Sequence, residues 1–345
     1  MRRPHVLRPA ALAVLLMWAG AAPAVQPPAS YPNTDGFGID FEKSEDWYRH
    51  CMRVERLVPP RLPSPPAPRL KSGRCDATGL YYLKRDQEGT SDAEWRDVRE
   101  CAEASGDDAV LMMLYANGYG VARDADRALS YACRLDSAKA EMEGRVAYLT
   151  GGAPVSVGQP FDLCDHATSG RLSAVCADLR ETRKARVRTA RLERFAAALP
   201  AQALRPFAQL RKAAEAFAVQ TQAEVDMSGT GAPGFALHHA ARRRDEFVRA
   251  VLDAANGKLA RATRGELVRL DAELNAAYRQ LQGRPLRPST RPSTVTRADL
   301  RKTERAWLAY RDAWGPFLAA ARLPADLVSV KALLTRQRIA QLARI

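Results

Sequence analysis

Along most of the second half of the chain, apolar positions recur every third or fourth residue, the period of one helical face. In residues 298–321 the stripe reads Leu300, Thr303, Trp307, Tyr310, Trp314 and Phe317, which predicts a long packed helix with Thr296 as its N-cap. Further helices are predicted near 233–255, 263–282 and 325–344, and an Arg-rich one over 181–199. A Gly/Pro/Ser stretch, "QGRPLRPSTRPSTVTRAD", interrupts the last group at 282–299. The pattern A-x-L-R-K-x-x-x-A-(W/F)-x-x-x-x-x-A occurs twice, at 298–313 and at 208–223. In the earlier copy the stripe runs Leu210, Ala213, Phe217, Gln220, Glu224. It begins apolar and ends polar, which predicts a helix that packs with one end only or caps the bundle.

The first half is patterned differently. Residues 25–50 are polar and irregular, and "LVPPRLPSPPAPRLKSG" at 57–73 carries six prolines, an extended spacer. Helical period starts near residue 92, where Ser91 and Glu94 have capping-box spacing and a glycine, Gly106, ends the run. Next comes a helix–turn–helix pair. Leu111, Leu114 and Tyr115 share one face, Gly118 and Gly120 break the helix, Asp124 caps the next, and Ala128, Tyr131 and Ala132 form the facing stripe. The whole reads as all-α, helical hairpins followed by a helical bundle.

Two resemblances follow from these residues. L-x-x-L-Y-x-x-G-x-G-V-x-x-D-x-x-x-A, carried by Leu111, Leu114, Tyr115, Gly118, Gly120, Val121, Asp124 and Ala128, resembles a Sel1-like repeat, a relative of the tetratricopeptide repeat. Residues 138–152 resemble the first helix of a following repeat, with Gly144 at the small position. Such repeats imply a protein-binding scaffold whose motif residues are for packing. Three motifs of the second half resemble the lysozyme-inhibitor LprI-like family of exported bacterial helical domains. They are D-x-x-L-N-x-x-Y at Asp271, Leu274, Asn275 and Tyr278; R-x-W-x-x-Y-R-D at Arg305, Trp307, Tyr310, Arg311 and Asp312; and T-x-x-R-x-x-x-L at Thr335, Arg338 and Leu342. The resemblance spans 262–345, with 205–255 similar to a diverged partial copy, so that one copy of a doubled helical unit has lost its polar signature. Where the family commonly carries cysteines near the Tyr-Arg-Asp motif and before the closing Arg, this chain has Trp314 and no cysteine, so packing has to replace the bridge.

Charge and cysteines add the compartment. Arg2, Arg3 and Arg8 precede an apolar run at 10–20, and Ala22-Pro23-Ala24 fits a small-x-small cleavage rule. Residues 1–24 therefore read as a secretory signal peptide, and the processed chain as soluble, periplasmic and not membrane-spanning. The six cysteines, Cys51, Cys75, Cys101, Cys133, Cys164 and Cys176, lie in the first half, and an even count in an exported chain argues for three disulfides. Of the formally possible pairings, sequence neighbours are the expectation: Cys51–Cys75, with the Pro-rich spacer as a tethered loop, Cys101–Cys133, and Cys164–Cys176 with a turn at Thr168-Ser169-Gly170. Residues 25–180 hold 19 Lys/Arg against 24 Asp/Glu, a net of −5, whereas 181–345 hold 31 against 15, a net of +16. Four segments follow: the signal peptide, an irregular 25–90, disulfide-stapled hairpins at 91–180, and a basic bundle at 181–345.

No GxSxG, Walker loop, HExxH or CxxC is present, so neither catalysis, nor a metal, nor a cofactor is indicated. His238-His239 are adjacent and face different directions on a helix, and Arg242–Arg244 read as a solvated basic patch. A hydrolase would need a cleft with paired carboxylates of perturbed pKa. The candidate ligand cluster is Asn275, Tyr278, Tyr310, Arg311, Asp312 and Arg338, since an Arg can clamp a carboxylate while Asp or Asn orients it. The plainer reading of those residues is an interhelical Asp312–Arg338 ion pair, with Asn275 and Tyr310 hydrogen-bonded across the bundle. The expected function is non-catalytic binding in the bacterial envelope, to a protein or to an anionic cell-wall or lipopolysaccharide component, since export removes nucleic acid as a partner. The alternative, implied by the family, is inhibition of a c-type lysozyme, with "DMSGTGAPG" at 226–234 as the inserting loop. Such lysozymes are basic, and a domain of net +16 would be repelled on approach.

Overall fold

The computed structural model describes residues 29–57, 75–152, 159–283 and 293–345, so the signal peptide and nearly all of the Pro-rich spacer lie outside the described residues. Twelve α-helices and no strand occur among them. In the first half these are α1 (Asp46–Val54), α2 (Ala77–Arg85), α3 (Asp92–Ser105), α4 (Asp108–Asn117), α5 (Ala125–Ala132) and α6 (Lys139–Leu149). Then follow α7 (Gly170–Ala197), α8 (Ala201–Gln220), α9 (Ala232–Ala255), α10 (Arg264–Gly283), α11 (Arg297–Ala321) and α12 (Leu327–Leu342). The last four fall within two residues of the boundaries read from the apolar period.

Local chemistry explains several ends. The Ser91 hydroxyl accepts from the Glu94 N–H, while Glu94 Oε2 accepts from the Ser91 N–H at 2.9 Å, a complete capping box on α3. Gly106 closes α3 in the left-handed conformation. Helices α4 and α5 form a hairpin in which Ala128 and Ala132 are fully buried and Tyr115 stacks on Tyr131 at 5.8 Å. Gly120 turns this hairpin with φ +64°, and a β-carbon there would lie 2.4 Å from Trp95 Cβ. Both requirements exclude any other residue without rearrangement.

Two of the expected disulfides are corrected. The bonds are Cys51–Cys133, Cys75–Cys101 and Cys164–Cys176, with Cα separations of 5.8, 5.7 and 5.7 Å. Of the three expected pairs only the last is found. The amphipathic face of α1 sets the first bond: Trp47, Cys51 and Val54 are buried against Leu129, Cys133 and Met142, so Cys51 is delivered to the end of α5. Cys75 starts the segment that leads into α2, and α2 packs on α3, which carries Cys101. The spacer thus runs between two different disulfides and is not a loop closed by one. Cys164 lies in a 3-10 turn, Leu163–His166, and the chain reverses before Ser169 caps α7, bringing Cys176 back to it. That early cap makes α7 28 residues long, starting well before the expected 181.

The bundle core gathers around Trp307, Trp314 and Phe317 of α11, with exposures of 2, 0 and 0%. Trp314 therefore fills the core where the family-like pattern would place a bridge. The two copies of the repeated segment, on α8 and α11, pack against each other along much of their length. Their apolar stripes meet: Leu210, Phe217, Leu300 and Trp307 share one core. Helix α8 is thus neither a cap nor packed at one end. Its polar end turns inward through a 3-10 turn, Thr221–Glu224, in which Thr221 and Glu224 are buried. Helix α7 extends from the stapled half into this bundle, where it packs on α9.

Candidate functional site

The charged centre of the bundle is built on Arg338, whose side chain has no exposure at all. Its Nη2 donates to Glu224 Oε1 at 2.6 Å and its Nη1 to Glu224 Oε2 at 3.2 Å, while Nε donates to Glu304 Oε2 at 3.0 Å. The guanidinium lies 5.6 Å from the centre of the Phe217 ring. Nη1 also reaches Gln341 Oε1 at 3.4 Å, and Gln341 donates to Glu246 Oε2 at 3.2 Å. Glu246 in turn holds Arg243, itself buried, at 2.9 Å. His239 Nε2 sits 3.7 Å from Glu224, too long for a hydrogen bond.

The carboxyls respond according to their partners. Burial pushes Glu224 up, but His239 and the Arg338 charge and hydrogen bonds outweigh it, so its carboxyl lies below the ordinary range. Glu304 and Glu246 shift the other way, because burial dominates over their arginine partners. Burial likewise disfavours the Arg338 charge, yet Glu224 and Glu304 hold its pKa above the usual value. Glu224 and Glu304 are a pair of perturbed carboxylates, but Arg338 fills the space between them, and the Glu224 side chain has zero exposure. Glu224 is closed to a substrate, and Glu304 keeps 14% exposure.

The six expected cluster residues do not converge. Arg338 pairs with Glu224 and Glu304, and the expected Asp312–Arg338 bridge is absent: Asp312 is exposed and lies 3.6 Å from Lys331. Three helices are joined elsewhere, where Arg311 Nη1 donates to Asp271 Oδ1 at 2.7 Å, Thr335 approaches the same oxygen at 3.5 Å, and the Arg311 guanidinium lies 4.8 Å from the Trp307 ring centre. Tyr310 is buried between Phe217 and Phe247, with ring separations of 5.9 and 6.0 Å, and burial raises its hydroxyl pKa. Asn275 is on the surface of α10 and makes no cross-bundle bond, and Tyr278 is half-buried near Glu304. Sequence reasoning missed Glu224, Glu304 and Glu246, and read Arg243 as part of a solvated patch, whereas it is buried against Glu246. A signal existed for one of them: Glu224 lies on the apolar stripe of the earlier repeat, where a carboxylate needs a buried partner.

Two surface features complete the picture. A cleft of about 540 Å³ opens between α7, α8 and α9. At its edge Glu181 accepts from Arg188 and Arg244, Arg244 also grips Glu215, and the floor includes Leu192, Phe247 and Val248. The loop 226–231 projects Met227, 45% exposed, with Ser228, Gly229 and Thr230 exposed beside it. Its base is fixed by the Met227 N–H on Thr294 Oγ1 at 2.6 Å and the Ser228 N–H on Asp226 at 3.0 Å. Among the described residues no group of three or more His, Cys, Asp or Glu is placed to hold a metal ion.

Residues 253–342 match the family of the lysozyme inhibitor LprI. That stretch is the end of α9 with α10, α11 and α12, and so contains Asp271, Glu304, Arg311 and Arg338. The chain therefore carries an LprI-like helical domain whose buried arginine takes its bidentate carboxylate, Glu224, from outside the matched residues. Neither a curated protein nor a solved structure matches the chain.

Proposed function

We propose that this is an exported, non-catalytic binding protein of the bacterial envelope, in which an LprI-like bundle and a Sel1-like, disulfide-stapled segment act together as a rigid scaffold. One observation carries the reading. Three of the five charged residues of the family-like motifs are engaged inside the protein, Arg338 with Glu224 and Glu304 and Arg311 with Asp271, so they build the bundle and leave recognition to its surfaces. Three disulfides suit the oxidising compartment that the reading requires. The α4–α5 hairpin, with its two positive-φ glycines and tight Ala128/Ala132 face, supports the scaffold role of the first half.

Inhibition of a c-type lysozyme is the second reading, favoured by the family match and by the loop 226–231, which is exposed at its tip and anchored at its base. Lysis of a peptidoglycan suspension by such a lysozyme, with rising concentrations of the processed chain, separates the two. Stoichiometric inhibition that vanishes when Met227 and Thr230 are replaced by Gly establishes the second. Unchanged lysis at excess protein sinks it. The binding reading itself fails if immobilised protein retains neither a protein nor a wall component from the envelope fraction of its own cell.

A further inference from the structure

Helices α7 and α9 run side by side in the same direction. Gly234 near the start of α9 lies against Ala174 and Ala177 of α7, and further along Arg188 Nη1 bonds Asp245 Oδ1 at 2.8 Å. This parallel register places Arg180 and Lys184 beside His238 and Arg242, on the side of the pair turned away from α8. All four are exposed, and among the described residues neither arginine nor the lysine has a carboxylate partner. Their proximity registers on His238, which is held below its ordinary pKa by partial burial and then by Arg242, Lys184 and Arg180 in turn. Acids on the same two helices are already engaged, Asp245 with Arg188, Glu181 with Arg188 and Arg244, and Glu246 with Arg243.

A solvated basic face would be expected to carry polar neighbours. This one instead carries Phe235, 69% exposed, three residues before His238 on the same α9 stripe, and Val187, 54% exposed, three residues after Lys184 on α7. Cations interleaved with exposed large apolar side chains match a partner with phosphates above and hydrocarbon beneath. A wall polymer offers the first layer only. No described helix is long and apolar enough to cross a membrane, so contact of this kind is peripheral.

We propose that the outer face of α7 and α9 docks on an anionic phospholipid bilayer, with Arg180, Lys184 and Arg242 at the headgroup phosphates and Phe235 and Val187 at the acyl boundary. The inference rests on the envelope reading above, but its test involves neither lysozyme nor a protein partner. The processed chain is sedimented with vesicles of phosphatidylcholine alone or with one third phosphatidylglycerol. Binding is expected only to the anionic vesicles and is expected to weaken strongly in 0.5 M salt. The variant R180Q/K184Q/R242Q should bind roughly 100-fold more weakly, and F235A about fivefold more weakly. Because these side chains are exposed, the variants should keep the wild-type circular dichroism and melting curve. Equal vesicle binding by wild type and triple variant, or no binding to anionic vesicles, overturns the proposal. So does full competition by soluble polyphosphate together with unchanged binding by F235A, which would mark a surface that reads phosphate charge alone. Retained protein capture alongside failed vesicle binding would discard this inference and leave the envelope reading standing.

Discussion

Replacing Arg338 with Met keeps a long side chain in the bundle core and removes the charge that neutralises two glutamates. Glu224 would then be a carboxylate with no exposure and no paired guanidinium, and Glu304, with 14% exposure, would lose its partner too. Breaking a buried pair on one side costs about 3–5 kcal/mol. For a cooperative unit the size of this bundle that is a fall in Tm of roughly 6–20 °C. The pH dependence provides the sharper test. In the wild type the Glu224 carboxyl is depressed, so its contribution is present above the unfolded carboxylate value of about 4.3 and is lost as pH falls through the native value. In the variant, burial is opposed by His239 but no longer by Arg338 and raises that carboxyl, so the sign reverses: the folded state is favoured below about 4.3 and weakened as pH rises through the raised value. The stability gap between the two proteins should therefore narrow from pH 7.5 to pH 5. Urea unfolding followed by tryptophan fluorescence reads this, since Trp307 and Trp314 lie in the affected core. Glu224→Gln combined with Arg338→Met should recover a substantial part of the loss, because the fully buried charge is gone. A gap below about 1 kcal/mol at pH 7.5, or one that does not change with pH, would refute the argument that charge pairing holds this core together.

The disulfides should differ in weight with the chain they close. Cys51→Ser with Cys133→Ser opens an 82-residue separation and should cost about 4–5 kcal/mol, against about 3 kcal/mol for Cys164→Ser with Cys176→Ser across 12 residues. Guanidinium unfolding of the stapled half measures both, and peptide mapping of the unreduced protein should find Cys51 joined to Cys133 and no Cys51–Cys75 peptide. Gly120→Ala meets both a left-handed backbone and Trp95, and should lower stability by at least 2 kcal/mol, read as a lower midpoint for the same half. An alanine variant as stable as the wild type would mean that the hairpin turn relaxes freely.

Period and capping made the helices legible, because both are local. Ser91 with Glu94, Asp124, Thr296 and the glycines at 106, 118 and 120 act within a few residues of the ends they define. Pairing across the fold was not legible. Cys51 finds Cys133 because one face of α1 packs on α5, a tertiary choice that no spacing encodes. Arg338 was recognisable as important, yet its partners come from a 3-10 turn 114 residues earlier and from a glutamate on α11. The expected Asp312 instead lies on the outer side of α11, reaching only Lys331. The earlier repeat read as decayed because it lacks Tyr-Arg-Asp. Its polar end, where Glu224 stands, is what completes the later copy's core.

Helix α7 has a consequence for how the molecule behaves in an electric field. Its 28 residues form a shaft of about 42 Å. The disulfide at Cys176 and the Arg183–Asp86 pair fix it to the stapled half, and the Arg188–Asp245 pair fixes it to the bundle. Among the described residues, 15 Lys/Arg against 24 Asp/Glu before residue 181, a net of −9, are thus held apart from 28 against 15 over 181–345, a net of +13, by a strut tied at both ends. The protein is a permanent electric dipole that turns as one body. Near any negatively charged layer it should arrive basic end first, with the stapled hairpins facing outward and free to meet whatever passes.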